Sequence, residues 1–491
     1  MTDADFLAWL KSPAAIRLTL VEVVAQVGGV ETTRYLSTGH YTTGATDTPA
    51  NISYEADVST GVRFTEQLSL SGEASLSAGD IEVSNIGGVR DSWLNDIWVN
   101  RPIQAWIGDP RWPRADFRMI FNGVVANCVP KGRDTLAILL RDKMQRLNTP
   151  VTEEKLGGTT PNKDAVLPLA FGEVHNVTPL LTDPVTLEHQ VHDGVCENIF
   201  EARGAGLPVS AVAVNTTGKL TLNVANQSAA ITVSLQGDKV GGVYSNTISK
   251  IVQRIVTGFG KVEDRFTSGD LDAANLAAFD AAHQQPVGLY LKDRTNVITA
   301  CQMLASSVGA QIVPTRLGKL RLIQIALPAA GTSTEIRPEH IIGDSLVPVS
   351  RTDVVASVKI GFCKNWTVQA GLQTALPAQH KDLFATEWLT ATATNPTVQA
   401  TYKLNGDPVQ QDTMLLRRTD ADVEAARRLA LWSVPRTVYE FEGTAEMLML
   451  ELGQAVTLYN RRYGMSAGVA GMVISLAPDW QNAHCKVGIL V

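Results

Sequence analysis

The first 150 residues constrain the chain most, because short β-favouring runs there alternate with Gly, Pro, Asn and Asp. IRLTLVEVVAQVGGVETTRYLST holds two such runs around Gly28-Gly29, the composition of a hairpin. VRFTEQLSLSG, DIEVSNI, PIQAWIG, FRMIFNGVVANCV and DTLAILLRD follow at short intervals. Strands so short and so regularly punctuated suit an antiparallel sandwich or barrel, and residues 1–150 are expected to form one β-domain. Four of the nine tryptophans, Trp93, Trp98, Trp106 and Trp112, fall within 20 residues of this region. Such rings are expected in core and interface packing, with Trp93 and Trp98 as interface candidates; a sugar-binding platform is the competing use.

Residues 151–205 form a Pro/Thr/Asp-rich connector, with five prolines from Pro150 to Pro184. Segments of this kind cross surfaces and meet partners. Residues 206–344 mix strand-like LPVSAVAVNTTGKLTLNVANQSAAITVSLQGD with three helical patterns and the hairpin QIVPTRLGKLRLIQI, an α+β middle domain. Ile248, Val252, Ile255 and Phe259 share one face of the first predicted helix. Strands return in 345–491, interrupted by one predicted helix over 418–433. There Thr419 and Asp422 have capping-box spacing and Pro435 ends the helix. The fold class is therefore mainly β with an α+β middle part.

One self-similarity links the two ends. RPIQAWIGD, GVVANCVP (Gly123 to Pro130) and DTLAILLRD follow one another near the end of the first β region. LGQAVTLYN, GMVISLAP (Gly471 to Pro478) and CKVGILV close the chain in the same order, with Gln104-Ala105 and Gln454-Ala455 marking upstream strands. Two unrelated β-domains with similar turns would show the same pattern, whereas a duplication makes the C-terminal region a second β-module. Three chains, each with two similar modules, present six around an axis, which matches three-fold to six-fold symmetry in a closed ring.

Hydrophobic residues make up 45% and charged residues 19%, values of folded domains. A net charge of -7 without any Lys/Arg-rich run excludes a general nucleic-acid binder, although an acidic wall lets nucleic acid pass without holding it. The N-terminus lacks the basic-then-apolar order of a secretory signal, and no run of about eighteen apolar residues predicts a membrane span or anchor. Five scattered cysteines without CxxC spacing read as buried thiols in a reducing compartment.

Three of the eight histidines, His175, His189 and His192, lie in FGEVHNVTPLLTDPVTLEHQVHDG beside Asp183, Glu188 and Asp193. HQVH is not HExxH, and on a strand His189 and His192 point to opposite faces, so spacing gives no shared metal. GDKVGG and GFGK miss the phosphate-loop pattern, and no nucleophile elbow or catalytic cysteine signature occurs. Neither a catalytic residue, a cofactor nor a metal is expected.

LPLAFGEVHNVTPLLTD and EHQVHDG resemble a segment of tail proteins from long-tailed bacteriophages and prophages. DIEVSNIGGVRDSWLNDIWVNRPIQAWIGDPRWPRADFRMIFNGVVA is similar to that family's N-terminal region. VGLYLKDRTNVITACQMLASSVGAQIVPTRLGKLRL resembles its middle domain, and DADVEAARRLALWSVPRTVYEFEGTAEMLMLELGQAVTLYNRRYG its C-terminal part. The resemblance implies a structural tail-tip or baseplate hub, a homotrimer with two tube-like β-modules per subunit. Its implied partners are the distal tail protein, tail tube protein, tape measure protein and other tail-tip or fibre proteins, with genome DNA passing through unbound. Synthesis and assembly in the host cytoplasm, and a final place in the virion tail tip, follow from the same likeness. On it, His175, Asn176, Pro179, His189, His192 and Asp193 become interface candidates in a connector seated against a neighbour. The alternatives are a hexameric distal tail ring, a cell-wall hydrolase, a sugar-binding module, and an ion site shared about the axis.

Overall fold

The computed structural model describes residues 1–70, 75–223, 230–327, 333–404 and 407–491. The chain is mainly β, with helices concentrated in its middle part. It divides into two compact units: Met1–Gln145, Val313–Thr352 and Arg436–Val491 form the first, Arg146–Ile312 and Asp353–Pro435 the second.

The first unit opens with helix α1 (Asp3–Lys11), started by a capping box between Thr2 and Asp5 and burying Phe6 and Leu10. Strands β1 (Leu18–Val27) and β2 (Val30–Ser37) make the expected hairpin, and Gly28 and Gly29 adopt the positive φ its turn requires. β3 (Phe64–Gln67), β4 (Ser75–Ala78), β5 (Asp80–Ser84), β6 (Pro102–Gly108), β7 (Arg118–Gly132) and β8 (Thr135–Arg141) follow. The first sheet has the order β2-β1-β6-β7-β8-β5 and is antiparallel throughout. Val21, Val23, Ile103, Ile107 and Ile138 are buried on one face of it, whereas Leu18 and Leu20 pack on the other with Tyr41, Tyr54, Trp106 and Phe117.

The second unit holds β9 (Leu169–Val177), β10 (Leu180–Asp183), β11 (Glu188–Gln190), β12 (Cys196–Gly204), β13 (Ala211–Val214), β14 (Lys219–Leu222), β15 (Ile231–Val240) and β16 (Gly288–Leu291). One sheet runs β12-β15-β9-β16, a second β10-β11-β14-β13. They share a core in which Ala170, Val174, Val233 and Leu235 meet Leu220 and Leu222. Gly172 sits where only glycine fits: φ is +64° and an added Cβ would stand 1.9 Å from the Val287 carbonyl oxygen. The three predicted middle helices are present as α2 (Ile248–Gly258), α3 (Ala273–Ala282) and α4 (Val297–Ser306), with Ile248, Val252 and Ile255 buried on α2. The predicted helix over 418–433 is α5 (Arg418–Trp432), but its expected capping box does not form. Arg417 takes the cap position, so Thr419 already lies in the first turn, and Asp422 pairs with Arg418 at 3.0 Å instead.

The chain returns to the first unit through β17 (Thr334–Ile336) and β18 (Val347–Arg351). It ends there with β19 (Thr437–Gly443), β20 (Ala455–Leu458), β21 (Val469–Asp479) and β22 (His484–Leu490). Their sheet has the order β17-β20-β21-β22-β19-β18, and β3 of the N-terminal region pairs with β21 at Ser475 and Leu476.

The repeat is present as two copies of one four-stranded module. With strands named a to d in chain order, β5, β6, β7, β8 and β19, β20, β21, β22 both pair in the order b-c-d-a. Their c–d ladders agree from Val124 to Pro130 and from Met472 to Pro478, beyond which the first has a second bulge, at Lys131, that the second lacks. Val124 faces Arg141 and Val125 faces Leu140; after a bulge that skips Ala126, Asn127 faces Leu139. Met472 likewise faces Leu490 and Val473 faces Ile489; after a bulge that skips Ile474, Ser475 faces Gly488. The marker glycines share one cause. A Cβ on Gly123 would meet the Arg141 carbonyl oxygen at 2.5 Å, and one on Gly471 the equivalent Leu490 oxygen at 2.9 Å. Gln104-Ala105 and Gln454-Ala455 are not equivalent, however. Gly123 faces Ile103 and Gly471 faces Val456, which sets the Gln-Ala pairs three positions out of register.

Candidate functional site

Four of the six candidate residues of the connector, Asn176, Pro179, His189 and His192, are buried in the second unit. His192 is 1% exposed, and the Ala170 N–H donates to its Nδ1 at 3.1 Å, which leaves its proton on Nε2. Burial pushes its pKa down to about 4, with Asp238 opposing, so the ring is neutral at neutral pH. Asp238, 4.0 Å from Nε2, is engaged by Arg254 at 2.7 and 3.1 Å. His189 is also buried, its Nδ1 2.9 Å from the Leu187 carbonyl oxygen, and burial lowers its pKa. Asn176 takes a positive φ, donates its N–H to Ser234 Oγ at 3.3 Å and accepts from Arg203 at 3.4 Å. Pro179 is buried. His175 and Asp193 keep partial access. His175 Nε2 stands 3.3 Å from Glu173 and its ring lies against Phe200. The Asp193 carboxyl is raised by burial and by Glu154.

Trp93 and Trp98 anchor the connection between strands a and b of the first module. Trp98 Nε1 donates to the Trp93 carbonyl at 2.7 Å, their ring centres are 5.4 Å apart, and Arg34 stacks on Trp93 at 4.3 Å while pairing with Asp96 at 2.6 Å. Both rings are buried and offer no open face to a sugar. The aliphatic residues of the same segment turn outward: Ile86, Val89, Leu94, Ile97 and Val99 are between 42% and 73% exposed. Sequence reasoning passed over them, because they are irregularly spaced between glycines, acids and tryptophans and show neither helical nor strand period.

The same connection in the second module is closed. Ala445, Met447, Leu448, Leu450 and Leu452 are all buried there, α1 packs on the 445–449 turn, and Lys11 reaches Glu446 at 2.5 Å. Arg316 donates to the carbonyls of Leu448 and Leu450 at 3.4 and 3.2 Å and stands 3.5 Å from the buried Glu66 carboxylate of β3. The same sheet ends at β18. All five residues of β18 are exposed, and among the described residues its outer edge has no partner strand.

Burial raises the thiols, Cys128 and Cys196 to about 11 and Cys485 to about 12, which removes nucleophilic character. Among the described residues no group of three or more His, Cys, Asp or Glu is placed to hold a metal. A cleft of about 420 Å³ in the second unit mixes Glu153, Glu154 and Asp193 with Lys261 and Arg265, so it presents no single charge to a ligand. No helix among the described residues is long and apolar enough to cross a membrane.

No family model and no curated protein matches the chain. Solved structures similar to it include a 43 kDa tail protein of prophage MuSo2 from Shewanella oneidensis, at 11% identity over 97% of this chain and 98% of that one, with a TM-score of 0.40. A tail protein from Neisseria meningitidis MC58 is similar at 10% identity over 96% of each chain, with a TM-score of 0.40. A chain in the virion of a native gene transfer agent particle is similar at 10% identity over 71% of this chain and 91% of that one, with a TM-score of 0.41. Identities near a tenth and TM-scores below one half leave the roles of individual residues to be read from the chain itself.

Proposed function

We propose that this chain is a structural protein of a bacteriophage tail, the trimeric hub of a tail tip or baseplate. Three copies would join the tail tube and distal tail ring to the tip and surround part of the path that DNA takes on ejection. Distal tail, tube, tape measure and tip or fibre proteins are its proposed neighbours, and DNA crosses the hub unbound. The observation that carries this reading is the doubled module, with a common strand order, register, bulge and glycine in one compact unit. Two modules per chain let three chains present six, which a chain with one module cannot do. The ordered resemblance to tail proteins along nearly the whole sequence supports it, as does an acidic balance that repels phosphate. The buried thiols and neutral, internally bonded histidines favour a scaffold over a reactive centre. His175 and Asp193, the accessible members of the connector, are the proposed contacts to a neighbour there.

Electron microscopy of an intact particle tests the proposal through rotational symmetry. Three copies at the tail tip are expected. Six copies would replace the hub with a distal tail ring, and release of muropeptides from peptidoglycan by the purified chain would replace it with a hydrolase.

A further inference from the structure

In both modules strand b leaves part of strand c without a neighbour, and it does so through the same turn. The Arg101 N–H donates to the Trp98 carbonyl at 3.1 Å, and the Gln454 N–H to the Glu451 carbonyl at 3.2 Å. A positive φ at Asn100 and at Gly453 carries the chain off there, so strand b reaches no further toward the c–d turn than Val125 and Val473. In the second module β3 takes the edge beyond. The Leu68 N–H donates to the Ile474 carbonyl at 2.8 Å, Gln67 faces Ser475 and Glu66 faces Leu476. The equivalent edge of the first module, Ala126 to Cys128, has no such partner strand among the described residues. Its Cys128 N–H turns instead to the adjacent side chain, Asn127 Oδ1, at 2.9 Å.

β3 has a counterpart as well. Val58 bridges Val83 at the end of the first strand a, and Ile341 bridges Gly443 at the end of the second. The Ser59 N–H meets the Glu82 carbonyl at 2.9 Å and the Ile342 N–H the Glu442 carbonyl at 2.7 Å. From Val58 to Phe64 and from Ile341 to Val347, six residues in each case, the chain reaches a strand, β3 or β18. β3 pairs with β4, just ahead of strand a, and β18 with Thr437–Glu440, where the longer strand a of the second module begins. The other edge of β3 fills strand c of the second module, whereas the other edge of β18 has no partner strand among the described residues. Gln67–Leu70 of the same chain face Val349 and Ser350 across a cleft without pairing with them.

We infer that the outer edge of β18 pairs with the Ala126–Cys128 edge of strand c in a second copy of this chain, antiparallel, as β3 pairs with strand c of the second module within one chain. The occupant is a second copy because the strand that fills the equivalent edge is the equivalent strand of this same chain. On pairing, the Cys128 N–H exchanges Asn127 Oδ1 for a carbonyl of the incoming strand. The repeat also sets the register: Gln67 faces Ser475, so Ser350 of one copy faces Asn127 of the next. The contact is head to tail, uses different surfaces on its two sides, and closes into a ring when the rotation allows. Two unpaired strand edges are templates for further pairing in a free monomer, and each satisfies the other. The pairing rests on the proposed trimer for the number of copies but not for the surface itself.

Native mass measurement of the full chain at about 100 μM, a concentration that populates an interface of standard size, tests it. Asn127 and Ser350 are both exposed, so charges can be placed there without entering the core. Asn127→Lys with Ser350→Lys sets like charges opposite each other and should raise the dissociation midpoint of wild-type rings about tenfold. Asn127→Lys with Ser350→Glu sets opposite charges there and should keep the rings. Unchanged melting by circular dichroism shows that both variants spare the fold. Rings that survive the two-lysine variant, or that weaken equally in both, overturn the pairing while leaving the trimer standing. Wild-type rings of another copy number that separate the two variants as expected support the pairing and defeat the trimer, and a monomeric wild type overturns both.

Discussion

In the first module the chain between strands a and b leaves β5 at Asn85, turns Trp93 and Trp98 inward, and shows its aliphatic side chains to solvent before β6. In the second module the same connection runs from Thr444 to Gln454, buries its aliphatic side chains and is held down by α1 and Arg316. The strands on either side are nearly superposable in register. What the modules share is therefore backbone-determined: ladder pairing, one bulge, and a glycine where a carbonyl leaves no room for Cβ. What differs is side-chain covering, which depends on the neighbour each module meets. The flanking strand differs too, β1 joining strand b antiparallel and β17 parallel.

The largest effect that sharpens this comparison is expected at Arg316. Arg316→Ala leaves the Glu66 carboxylate buried without its cation and frees two carbonyls on the closed connection. Burial already raises that carboxyl. A loss of about 3–5 kcal/mol in urea unfolding is expected, as for other buried pairs broken on one side. A change below about 1 kcal/mol would mean that Arg316 does not join the closed connection to β3. Leu448→Ala against Leu94→Ala comes next, at corresponding connections of the two modules. Leu448 is fully buried, so about 3 kcal/mol should be lost. Leu94 is 44% exposed, and its truncation should stay within about 0.5 kcal/mol in the isolated chain. Equal losses would erase the distinction between a closed and an open connection. Gly123→Ala and Gly471→Ala should each cost about 1–3 kcal/mol, the former more because its clash is with backbone at 2.5 Å and with the Phe121 ring. If Gly471→Ala stabilised the protein, the shared steric reason for the two glycines would fall.

These particulars also show which features the sequence displayed. In the Gly-to-Pro spacing the glycines answer to a carbonyl contact, and Pro130 and Pro478 stand at equivalent ladder positions, facing Leu136 and Cys485. The Gln-Ala pairs did not mark equivalent positions, since nothing in the ladder requires those side chains. The helices over 248–258 and 297–306 were visible in apolar period, and the one over 418–432 in its Pro435 stop, although the capping box expected there does not form. That residues 313–352 and 436–491 pack with the first 145 depends on pairings such as Gln67 with Ser475, and no local pattern encodes so distant a contact. The histidine-bearing connector was legible as polar. Its burial was not, because it depends on partners such as Ala170 and Ser234, the latter 58 residues from Asn176.

The smallest effect expected concerns how firmly α1 covers the second module. Burial of Glu446 pushes its carboxyl up, but the Lys11 ammonium and the Thr444 hydroxyl outweigh this and bring it down to about 2. A carboxyl depressed in the fold binds its proton more readily in the unfolded chain. Its contribution is thus complete above the unfolded value of about 4.3 and is lost as pH falls toward 2. Lys11 is half exposed, so solvent screening limits the pair to about 0.5 kcal/mol. Lys11→Ala should remove that small increment at pH 7 and flatten the acid limb between about pH 4 and 2 by the same amount. Urea unfolding at the two pH values, compared with Glu446→Gln, separates the pair from packing. If Lys11→Ala cost about 2 kcal/mol or more at both pH values, its aliphatic stem on the 445–449 turn, and not its charge, would hold the cover in place.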